Sequence, residues 1–177
     1  SWTASGTAPS CPSPLTFALP VDVSRVTSVL YPGQTRGGNY KAHGGFRFAD
    51  GTNTAITVTA PMSGYLYRGA RYIEGGEVQY LFDIVNSCGV MHRFDHLLTL
   101  SSRFQAFADT LPAASASSAT TAFPAGTTVT EGETIATAVG FRTTGNTSVC
   151  PLLARQRRPV RAVARVAGRR RHRWENQ

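Results

Sequence analysis

Glycine and proline break this chain into apolar runs too short for anything but strands. The clearest stretch lies between Tyr65 and Leu100, where near-alternating apolar residues are interrupted by Gly75-Gly76 and by Asn86-Ser87-Cys88-Gly89. Gly75-Gly76 predicts a tight hairpin that sets Arg71-Tyr72-Ile73 against Val78 to Val85. Val90 to Leu100 follows as the next strand. Upstream, Phe46 and Phe48 alternate with Arg47, so on a strand the two rings face one way and the guanidinium the other. Leu15 to Val29 predicts one or two short strands interrupted by Pro20, and Ala55 to Ala60 a β-branched one. Downstream, Phe104 to Leu111 is the one plausible helix, and Pro112 to Thr121 is an Ala/Ser/Thr surface loop. Gly132 is expected to turn a hairpin whose second strand runs through Ile135, Thr137 and Val139 to Phe141. Ser148 and Val149 begin a last strand, cut short at Cys150-Pro151. The expectation is an all-β antiparallel domain with one short helix.

Charge divides the chain. Residues 1–150 hold nine Arg or Lys and nine Asp or Glu; residues 151–177 hold nine Arg and one Glu, which accounts for the whole +8. A basic global balance therefore describes a tail, and the global number gives no ground for nucleic-acid binding by the body. No run approaches the roughly 20 apolar residues of a membrane-spanning helix. The division predicted is a disordered linker over 1–14, a β domain over 15–150 and a basic, disordered or short-helical tail over 151–177. The Ser/Thr/Pro-rich opening suits a linker left after removal of a signal segment. The tail reads in two ways. It is an arm for nucleic acid or an anionic membrane surface, helical through Val160, Val163 and Val166. Otherwise it is a solvated or foreign end, of the kind an out-of-frame GC-rich message gives, and it leaves the strand before it with an unpaired edge.

Three cysteines cannot all pair internally. Cys11 and Cys88 form a bridge if the chain is exported; otherwise Cys11, Cys88 and Cys150 are unrelated thiols.

Four short motifs occur in a fixed order: His43-Gly44-Gly45-Phe46-Arg47-Phe48, Ala60-Pro61-Met62-Ser63-Gly64, Phe94-Asp95-His96-Leu97, and Val129-Thr130-Glu131-Gly132-Glu133-Thr134-Ile135-Ala136. This order resembles the lysostaphin-type (LytM-like) zinc endopeptidases, over about residues 37–149. The resemblance implies an antiparallel β-sandwich with a groove, in a bacterial, extracytoplasmic protein that meets peptidoglycan. It places the family's first zinc ligand on His43 and its transition-state histidine on His96, with Phe94 in the place of a tyrosine. Two half-motifs also resemble biotinyl-type hairpins, but Ser63 stands where their lysine should.

The donor set departs from the family's. Arg47 occupies the second-ligand position, and a guanidinium has no lone pair for a metal. No histidine stands near Thr147 to Cys150, where the third ligand is expected. Hydrolytic zinc needs about three protein ligands plus a water. His43 is thus either a remnant ligand or a loop histidine bonded to backbone. His92 and His96, about 13 Å apart if on one strand, cannot share an ion and read as surface or groove residues. The expectation is a non-catalytic module without a cofactor, its groove lined by Tyr40, His43, Arg47 and His96 and suited to an acidic peptide-like ligand. The alternatives are a zinc cell-wall endopeptidase with unusual ligands, using His96 in catalysis, and a binder of nucleic acid or membrane through the tail.

Overall fold

The computed structural model describes residues 10–41, 43–48, 55–142, 148–151 and 155–156. After a 3-10 turn at Val23–Arg25 come β1 (Val26–Leu30), β2 (Gln34–Arg36), β3 (Asn39–Lys41), β4 (Gly45–Phe48), β5 (Val58–Thr59), β6 (Gly64–Glu74), β7 (Glu77–Val85) and β8 (Val90–Leu100). The helix α1 (Ser102–Asp109) is followed by β9 (Thr121–Ala122), β10 (Thr128–Val129), β11 (Thr134–Val139), β12 (Ser148–Pro151) and β13 (Arg155–Gln156). The protein is all-β, with one α-helix among the described residues.

Eleven strands join in one antiparallel sheet whose main path is β1-β4-β12-β8-β7-β6-β10, while β2 and β3 pair only with each other. Gly75 and Gly76 both take positive φ, 60° and 79°, as a two-residue hairpin turn requires, and Glu74 pairs with Glu77 across them. Gly37-Gly38 closes the β2–β3 hairpin in the same way, at 57° and 77°.

One face of β6, β7 and β8 carries the core. Leu66, Phe82, Ile84, Phe94 and Leu97 are buried there and packed under Val58, Ile135 and Phe104. The helix forms because Ser101 caps it, accepting a bond from the Phe104 N–H, and because Phe104 and Ala108, one turn apart, both bury. The opposite face of the same strands holds a smaller cluster of Ala70, Tyr72 and Leu81.

Several expectations are corrected. Leu15 to Pro20 forms no strand; it is tied by single bonds, Ala18 N–H to the Pro61 carbonyl and Thr59 N–H to the Pro20 carbonyl. Of Ala55 to Ala60, only Val58–Thr59 is a strand. Gly132 turns the chain, but β10 pairs with β6 while β11 pairs with β5 and β8, so no hairpin results. β12 has partners on both sides, and β13 continues the pairing along β8 into the arginine-rich sequence. Of the two alternatives for the cysteines, the structure has the bridge: Cys11 and Cys88 are disulfide-bonded, their Cα atoms 5.1 Å apart. The helix expected through Val160, Val163 and Val166 lies outside the described residues.

Candidate functional site

β12 is the seam of the molecule. It lies between β4 and β8, with Ser148 opposite Arg47 on one side and Cys150 opposite Asp95 on the other. Arg47 is exposed on β4, and His43 is half-buried just before that strand. Tyr40, 71% exposed, sits on the separate β2–β3 hairpin, off the main sheet. Gly44 explains the glycine-rich approach to β4: a Cβ there would come 2.6 Å from the Leu30 carbonyl oxygen.

His96 occupies a break in β8. Tyr80 pairs with Leu97 and Phe82 with Phe94, so three steps on β8 match two on β7, which is a β-bulge. His96 takes φ 59°, a conformation costing a non-glycine residue on the order of 1 kcal/mol. Both of its backbone polar groups are held. Its N–H donates to Asp95 Oδ1 at 2.9 Å, and its carbonyl accepts from the Gly140 N–H at 2.8 Å. The edge of β8 changes partner at this point: β11 pairs with Leu97 to Leu100, and β12 with Phe94 and Asp95. The bulged histidine therefore stands where two strands part from a common neighbour.

Its side chain meets residues that no motif of the sequence joined to it, save its neighbour Asp95. The Tyr72 hydroxyl reaches from β6 across β7 and donates to Asp95 Oδ1. The Tyr72 phenol oxygen lies 3.4 Å from His96 Nδ1, and Glu74 Oε2 lies 3.8 Å from that nitrogen. The Phe141 ring packs against the imidazole, centroids 5.3 Å apart. Burial, and then the Asp95 charge, push the Tyr72 phenol far above its ordinary pKa, so it remains a donor. Below this cluster Gln79, fully buried, donates to the Gly140 carbonyl at 3.0 Å. Asp83, also buried, takes two bonds from Arg93 at 2.8 and 2.9 Å, and these bonds hold the guanidinium's pKa up.

The groove expected from sequence is thus only partly assembled. Arg47 and His96 flank one strand, Tyr40 belongs to another sheet, and the cluster on His96 is built from Tyr72, Glu74, Asp95 and Phe141. His92 is not a groove residue. It is fully buried on the core side of β8, edge-on to Phe17. Neither of its ring nitrogens has a hydrogen-bonding partner among the described residues, and burial lowers its pKa to about 4. The bulge separates the two histidines: Val90, His92 and Phe94 face the core, and Leu97 rather than His96 resumes that face.

The donor set does not fit catalytic zinc. Arg47 has no lone pair, His96 Nδ1 faces Tyr72 and Glu74, and no three His, Cys, Asp or Glu side chains converge on a metal position among the described residues. In comparisons with known proteins, no family model, curated protein or solved structure matches the chain.

Proposed function

We propose that this chain is a non-catalytic binding module of the bacterial cell envelope, with a degenerate lysostaphin-like sandwich fold, that takes carboxylate-bearing peptides of the peptidoglycan type. The observation that carries the reading is the placement of β12 between Arg47 on β4 and His96 on β8. The strand after His43, the late strand and the Phe-Asp-His-Leu strand lie side by side, which supports the reading. At the position of the metal-binding carboxylate stands a permanent cation, which favours an anionic ligand. The Cys11–Cys88 bridge supports an oxidising, extracytoplasmic setting.

The test is calorimetric titration with a wall-type tetrapeptide bearing free carboxylates, beside its fully amidated form. The free acid binds, the amide binds roughly tenfold more weakly, and Arg47→Ala removes that preference, as expected for one exposed charge-assisted pair. Equal affinity for both peptides would refute the reading.

A further inference from the structure

The protons around His96 can be followed one at a time. Tyr72 has a single hydroxyl proton, and it is given to Asp95 Oδ1. Toward His96 Nδ1, 3.4 Å away, the phenol oxygen therefore offers only a lone pair. Glu74, the other group at that nitrogen, is a carboxylate 3.8 Å away and likewise only accepts. Asp95 Oδ1 is already engaged by Tyr72 and by the His96 backbone N–H. Two acceptors face Nδ1, so a neutral imidazole avoids repulsion only with its proton there. Nε2 makes no hydrogen bond among the described residues, and the side chain is 20% exposed.

We infer that Tyr72 and Glu74 are positioning residues that hold neutral His96 as its Nδ1–H tautomer, so that Nε2 meets the ligand as a hydrogen-bond acceptor for a peptide N–H or ammonium group. This rests on the binding-module reading and sharpens it. Arg47 selects for carboxylate on one side of β12, and His96 selects for a donor on the other. A backbone held at φ 59° and a ring backed by Phe141 limit the imidazole's freedom to turn and exchange its nitrogens.

The experiment is long-range 1H–15N correlation of the histidine side chains in the full chain, at a pH where His96 is neutral, assigned by loss of its signals in His96→Gln. The expected result is a protonated-type Nδ1 and a lone-pair-type Nε2. In Glu74→Gln, whose amide can donate, the balance moves toward Nε2–H, and Glu74→Asp returns it toward wild type. A lone-pair-type Nδ1 in the wild type would overturn the inference whether or not acidic peptides bind at Arg47. A wild-type balance in both Glu74→Gln and Tyr72→Phe would overturn the roles given to those residues. Titration with trialanine, which has an ammonium and amide donors, should shift the Nε2 signal; an unmoved signal in a saturated complex would overturn the acceptor role. Failure of the acidic tetrapeptide to bind a protein with the expected tautomer would refute the binding module alone.

Discussion

His92 lies edge-on to Phe17, ring centroids 4.6 Å apart, and is sealed in the core without a hydrogen-bonding partner among the described residues. The stability of the fold should follow this residue's titration. Its pKa falls from 6.5 to about 4 on folding, because burial disfavours the charged ring. The folded state then binds fewer protons than the unfolded chain between those values. Stability is complete above about pH 6.5 and declines as the pH falls toward 4. Urea unfolding at pH 7 and pH 4.5 should show a loss of roughly 2 kcal/mol from this group. His92→Phe should flatten that dependence; an unchanged pH profile in the variant would assign the acid sensitivity elsewhere.

The bridge between Cys11 and Cys88 closes a loop with a sequence separation of 77. Cross-links over loops of this size stabilise by about 2–4 kcal/mol, chiefly through the unfolded chain. Cys11→Ser and Cys88→Ser should lower the melting temperature by similar amounts, and the double variant by no more than either. Reductant should reproduce the loss in wild type and leave the variants unmoved. A melting curve indifferent to reductant would contradict the bridge.

Gly64 ends the Ala60-Pro61-Met62-Ser63-Gly64 motif, and its own geometry explains it. A Cβ there would sit 2.4 Å from the Val85 carbonyl oxygen and 2.8 Å from its carbon, against backbone that cannot swing aside. Gly64→Ala should cost about 2 kcal/mol or more through strain in the β6–β7 pairing. Ser63→Ala, at the residue before it but bonded through its hydroxyl only to the exposed Glu131 N–H, should cost well under half of that. Chemical denaturation of both variants checks the ranking.

The chemistry of Arg47 predicts that zinc does not bind stoichiometrically. Protein purified without chelators should contain far less than one zinc per chain by elemental analysis, and chelators should leave its melting temperature unchanged. One zinc per chain, lost in His43→Ala, would restore the endopeptidase alternative.

What the sequence revealed was whatever local chemistry decides. Gly75-Gly76 announced its hairpin because only glycine takes two positive φ values without strain. The helix expected over Phe104 to Leu111 lies within two residues of the observed Ser102–Asp109 at each end. Gly132 marked a turn but could not say with whom its flanking strands pair, since that choice is made by distant neighbours, β6 for one and β5 with β8 for the other. His92 was misjudged because strict alternation ties it to His96 on one face, and the bulge sends His96 off that face while His92 stays with Phe94 in the core. The contacts of Tyr72 and Glu74 with His96 escaped notice for a related reason. They reach His96 over or around β7, and nothing in a single sequence reports a cross-strand reach.

The proposed module holds its ligand along β12, between Arg47 and His96. Chemical-shift mapping with the free-acid tetrapeptide reads that placement residue by residue. Side-chain signals of Arg47 and His96 should move together, with one saturation curve, in protein stripped of metal. Shifts confined to another surface, or none at millimolar peptide, would contradict it.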